Sequence, residues 1–153
     1  MAAAATMLCE PLQAVPSPSD LSQLKTLEKK VTRVVGKVLP ATVSLFCMKN
    51  GASGSGVVVN KNGLILTAGH VVRGSDEMTV IFPDGKQASG KVLGANYTRD
   101  TAMLQISDPT PTLGWPHANV GSTQKLTTGD LVIALGHAGG YDPVRTPPVR
   151  FGR

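Results

Sequence analysis

Two hydrophobic periodicities divide the chain near Pro40. Upstream, Leu24, Leu27, Val31, Val34 and Val38 recur at alternating spacings of three and four, while Lys25, Lys29, Lys30, Arg33 and Lys37 fall on other faces. That pattern predicts one amphipathic helix over 20–39. Ser19 or Asp20 can accept from the free amides of a first turn, and Pro40 ends the segment. Ahead of it, Val15-Pro16-Ser17-Pro18-Ser19 reads as a linker, because its prolines lack amide donors and oppose helix. The apolar stripe leaves three readings open: packing on the following domain, self-association as a homo-oligomer, or lying on a membrane surface.

From Ala41 the period shortens. Thr42 to Met48, Gly56 to Asn60, Leu64 to Thr67, Met78 to Phe82, Gln87 to Leu93 and Ala102 to Ile106 form six runs rich in Val, Ile, Leu and Thr. Asn60-Lys61-Asn62-Gly63 and Pro83-Asp84-Gly85-Lys86 join neighbouring runs with residues that tolerate positive φ, so these neighbours are predicted to be antiparallel. Meandering strands of this kind remove their exposed edges by closing into a barrel. Pro109 to His117 is a connector, with three prolines blocking any ladder. Leu131 to Leu135 is predicted to be another buried strand, and Gly136 to Arg153 a loop.

Composition narrows the classes. A hydrophobic fraction of 41% against 16% charged residues excludes a disordered chain, and 17 Gly with 11 Pro fit short elements between many turns. The net charge of +5 is concentrated on the predicted helix, and aromatics make up only 4%, which leaves no base-stacking platform and argues against a nucleic-acid partner. Cys9 and Cys47 lie in dissimilar surroundings and are not expected to pair. Cys47, within an apolar run, reads as a small buried hydrophobe, and no CxxC spacing suggests a metal or redox site. Residues 1–14 lack a basic start and carry Glu10, a poor export signal as written. No apolar stretch approaches the ~18 to 20 residues that span a bilayer.

Two strand edges hold the candidate chemistry. Thr67-Ala68-Gly69-His70 closes one strand, with small residues permitting a sharp turn, and Arg99-Asp100-Thr101-Ala102 opens another. A histidine that takes a proton from a nucleophile needs a carboxylate behind it to fix one ring tautomer and to stabilise the imidazolium, so His70 is the candidate base and Asp100 its orienting partner. No serine in a Gly-x-Ser-Gly-Gly setting follows Asp100, and the nucleophile is expected to be absent from these 153 residues. Gly51-Ala52-Ser53-Gly54-Ser55-Gly56 precedes the histidine and lacks nucleophile-elbow spacing; it reads as a turn entering a strand, and neither serine is the nucleophile. His117 and His137 read as surface loop histidines without ligand spacing, so no metal is expected. Gly136-His137-Ala138-Gly139-Gly140 lacks the Lys-Ser/Thr of a phosphate loop.

Together, Gly54-Ser55-Gly56-Val57-Val58-Val59, Leu64 to Val72 with its Thr67-Ala68-Gly69-His70 core, and Arg99-Asp100-Thr101-Ala102-Met103-Leu104 resemble trypsin-like serine proteases of the HtrA/Deg type. The resemblance runs from about Val34 to Gly136. It implies an all-β fold, a chymotrypsin-like double β-barrel whose first, six-stranded barrel carries the histidine and aspartate and whose second supplies the serine. The division expected is a leader at 1–19, the helix at 20–39, the first barrel at 40–114 and, at 115–153, a connector with an incomplete start of the second barrel. The activity implied is serine endopeptidase, with protein or peptide substrates, unfolded proteins among them, no cofactor, and an envelope or secreted location. The alternative is a non-catalytic barrel that binds peptides or partners. The chain departs from the family in its short Lys49 to Ser53 connection, in His137-Ala138 where relatives commonly have Asn-Pro, and in lacking most of the second barrel.

Overall fold

The computed structural model describes residues 20–124 and 126–137. The leader, its linker and Cys9 lie outside these residues, as does the part of the expected loop beyond His137. A helix α1 (Leu21–Val38) precedes six strands: β1 (Thr42–Phe46), β2 (Ser53–Val58), β3 (Leu64–Thr67), β4 (Glu77–Ile81), β5 (Gln87–Asn96) and β6 (Thr101–Ile106). Asp20 caps α1, accepting from the Ser22 amide at 3.3 Å and the Ser22 hydroxyl at 2.6 Å. No residue of α1 is buried. Leu24 is 48% exposed and Val34 46%, while Val31 and Val38 are half-buried, so the described residues leave most of the stripe uncovered.

The six strands close into an antiparallel barrel in the order β1-β2-β3-β6-β5-β4. Both tight turns use the backbone freedom their sequences advertise: Gly63 has φ 89° and Gly85 φ 85°. The Asn60 side chain accepts from the Asn62 and Leu64 amides, and Asp84 from Lys86. Val43, Leu45, Val58, Ile65, Val80 and Leu104 fill the interior and are fully buried. Each such side chain contributes about 1.5–3 kcal/mol over its exposed state, so the alternating pattern that points them inward also fixes strand register.

Several boundaries differ from the sequence reading. Ser53 to Gly56 is strand, not a turn, because pairing with β1 recruits it despite weak β propensity. A Cβ on Gly56 would lie 2.7 Å from Ile65 Cγ2, so this strand must be glycine-rich where it crosses the core. β1 ends at Phe46 rather than Met48, which is exposed. β5 continues past Leu93 to Asn96 through a register shift between Val92 and Gly94. Leu131 to Leu135 forms no strand among the described residues; Leu131 and Val132 are exposed, and apolar strand-like sequence without a ladder partner does not fold as a strand. The connector is tied to the barrel: Trp115 stacks on Phe82 with centroids 5.3 Å apart, and its amide donates to the Lys61 carbonyl at 2.9 Å.

Candidate functional site

The β3–β6 register decides where the site forms. Thr67 at the end of β3 lies opposite Ala102 at the start of β6, so the chain leaving one strand and the chain entering the other meet at one rim of the barrel. Beyond β3 the backbone tightens into a 3-10 turn, Gly69–Val72, which buries Val71 and Val72 and leaves His70 facing out. Before β6, residues 97–100 form a turn in which Asn96 Oδ1 accepts from the Arg99 amide at 3.0 Å.

His70 and Asp100 are joined twice. Asp100 Oδ1 accepts from the His70 amide at 2.8 Å, and Asp100 Oδ2 lies 2.8 Å from His70 Nδ1. An ionised carboxylate can only accept, so Nδ1 carries a proton and, in the neutral ring, Nε2 keeps its lone pair free. The two bonds from His70, backbone first and ring second, hold the Asp100 carboxyl below its ordinary range. The side chains are 67% and 51% exposed, so the pair lies at the surface of the described residues.

Two local features permit this geometry. Asp100 has φ 51°, the one positive φ on a non-glycine residue among the described residues, and aspartate tolerates that left-handed conformation better than most side chains. A Cβ on Gly69 would lie 3.3 Å from Asp100 Oδ1 and 3.4 Å from the Thr101 nitrogen, so a larger residue would crowd the carboxylate. The sequence motifs foretell the meeting of these two residues, but not the left-handed backbone or the grip on the main-chain amide.

His137 corrects an expectation. It is not a surface histidine but is buried, with its amide donating to Ser55 Oγ at 2.7 Å and its ring Nε2 lying 3.4 Å from the Thr42 carbonyl. Burial pushes its pKa down, and the carbonyl contact opposes this only in part. No local signal reveals such a residue, because both partners lie far away in sequence. Ser55 accepts from His137 and from Thr67, whose hydroxyl donates to the Ser55 carbonyl at 2.7 Å. His117 is exposed, with Nδ1 lying 3.0 Å from the Trp115 carbonyl. Cys47 is buried and receives the Ser75 hydroxyl at 3.0 Å. Among the described residues, no group of three His, Cys, Asp or Glu could hold a metal ion, and no helix is long and apolar enough to cross a membrane.

Comparison with known proteins converges on the same region. Residues 54–150 match the trypsin-like peptidase domain family. A probable periplasmic serine endoprotease DegP-like of Hahella chejuensis is 36% identical over 60% of this chain and 19% of its own length. The serine protease Do-like HtrA of Bacillus subtilis is 42% identical over 61% of this chain and 21% of its own. The chain thus spans only a small part of these relatives. Among solved structures, an HtrA-type protease AlgW with tripeptide superposes with a TM-score of 0.62 at 29% identity, covering 69% of this chain and 34% of the other. The serine endoprotease from Yersinia pestis gives 0.60 at 25% identity, with 69% and 38% covered.

Proposed function

This chain belongs to the trypsin-like peptidase family, with HtrA-type proteases as its relatives, and on that footing we propose that residues 40–114 supply the base and its orienting carboxylate to a serine endopeptidase. The observation that carries the reading is the pair of hydrogen bonds between His70 and Asp100 at the rim where β3 and β6 meet. Asp100 holds the Nδ1 proton, leaving Nε2 to take a proton from a serine hydroxyl as that oxygen attacks a peptide carbonyl. The carboxylate then stabilises the imidazolium, which returns its proton to the leaving amine. Ser107 and Ser122 are the serines that follow Asp100 in the sequence, and neither stands in a Gly-x-Ser-Gly-Gly setting. The nucleophile and the oxyanion donors therefore come from outside these 153 residues, which by themselves do not hydrolyse peptides.

The relatives' names supply two extensions. Their description as endoproteases supports protein substrates, and the word periplasmic in one of them supports action in the envelope or a secreted compartment. A chimera tests the function: the matched segment of the Bacillus subtilis relative is replaced by that of this chain and assayed on unfolded casein. Hydrolysis is expected, with His70→Ala lowering kcat by about six orders of magnitude. Hydrolysis that survives His70→Ala would reject His70 as the base, and a folded chimera that does not hydrolyse casein would leave the non-catalytic barrel.

A further inference from the structure

Asp100 links the His70 turn to the β5–β6 turn through two hydrogen bonds, both made by one exposed side chain. A joint made by one side chain permits a pivot about that side chain, and the left-handed backbone at Asp100 gives that turn a reason to relax. A second link spans the same gap. Arg73 immediately follows the Gly69–Val72 turn, and its guanidinium lies 5.0 Å from the centroid of the Tyr97 ring, at the head of the turn that carries Asp100. The Tyr97 ring also lies against the chain at Gly69, since a Cβ built there would be 3.4 Å from Tyr97 Cδ1.

The Arg73 end of this link is itself anchored. Its amide donates to the His70 carbonyl at 3.4 Å, and its carbonyl accepts from Asn50 Nδ2 at 3.2 Å. Asn50 sits in the β1–β2 connection and also donates to Ser75 Oγ at 3.2 Å, which in turn donates to buried Cys47 Sγ. The Arg73 backbone is thereby tied to the β1–β2 connection while its side chain reaches across to the Asp100 turn. Both Arg73 and Tyr97 are exposed and lie outside the strands, so neither contributes to the core.

We propose that Arg73 and Tyr97 are positioning residues for the His70–Asp100 pair, a cation–π brace that removes the pivot and holds the Nδ1–carboxylate bond closed. The proposal rests on reading His70 as the base and Asp100 as its orienting group, but it is tested without hydrolysis. Two signals are read by NMR on the 153-residue chain: amide exchange at His70, whose N–H donates to Asp100, and the His70 Nδ1–H resonance. Arg73→Ala and Tyr97→Ala are each expected to speed His70 amide exchange about two- to fivefold and to broaden the Nδ1–H signal, with Leu104 and Val58 amides unchanged. Tyr97→Phe, which keeps the ring face, should retain both signals. The double alanine variant should be no worse than either single one, because the two share one contact. Unchanged exchange at His70, equal acceleration of the barrel amides, or failure of Tyr97→Phe to retain the signals would overturn the brace. Hydrolysis surviving His70→Ala in the chimera would instead remove the base assignment and leave these exchange data standing.

Discussion

Both carboxylate oxygens of Asp100 accept from one residue, His70, which offers its main-chain amide to Oδ1 and its ring Nδ1 to Oδ2, each at 2.8 Å. The amide bond sets the position of the His70 backbone, and the ring bond sets its tautomer. Orientation and proton placement are therefore coupled in a single carboxylate.

The coupling has a defined pH dependence. The Asp100 carboxyl lies below its ordinary value of 3.8 because the folded state donates two hydrogen bonds to the ionised form. Its stabilisation is complete above that ordinary value and is lost as pH falls through the lower folded value. Urea unfolding of the wild type and Asp100→Asn should show a gap that closes as pH falls below the ordinary carboxylate value of 3.8. A gap that persisted unchanged below that value would contradict the clamp.

His137 titrates in a different window. An unfolded chain binds its proton near the ordinary value of 6.5, whereas the buried ring in the folded chain takes it only at lower pH. Its contribution is whole above 6.5 and declines as pH falls from there toward the folded value. His137→Gln keeps a donor for the Thr42 carbonyl but cannot titrate. The wild type should therefore lose stability relative to this variant between pH 7 and 5. Parallel pH curves would show that His137 is not held neutral.

Gly54 is expected to report on the packing beneath His70. An alanine there would place Cβ 2.5 Å from Val71 Cγ2 and 2.8 Å from Val71 Cγ1, in the turn that carries the histidine. Gly54→Ala should cost about 1–3 kcal/mol in urea unfolding, and Val71→Ala should relieve part of that cost, so the two changes combine less than additively. Additive losses would mean that the two positions do not press on each other.

Much of the barrel was legible because its determinants are local. The Asn60 to Gly63 and Pro83 to Lys86 turns announce their positive-φ glycines, and Val43, Leu45, Ile65 and Leu104 alternate as strands facing a core must. What escaped was decided across the sheet. Ser53 to Gly56 and Gly94 to Asn96 have little β propensity and are strands because β1 and β6 pair with them. Leu131 to Leu135 has the opposite fault, a strand-like composition with no ladder to join among the described residues. At the site, the motifs around His70 and Asp100 mark which residues meet. The left-handed Asp100 backbone and the burial of His137 depend on contacts that no short window of sequence contains.

The most direct measurement is the location of the His70 ring proton, read from the two imidazole nitrogens by NMR of histidine-labelled chain at neutral pH. The expected result is a proton on Nδ1 and a bare Nε2, with Asp100→Asn shifting the proton toward Nε2 because the amide can donate to the ring. A proton already on Nε2 in the wild type, unmoved by Asp100→Asn, would contradict the assignment of His70 as a base.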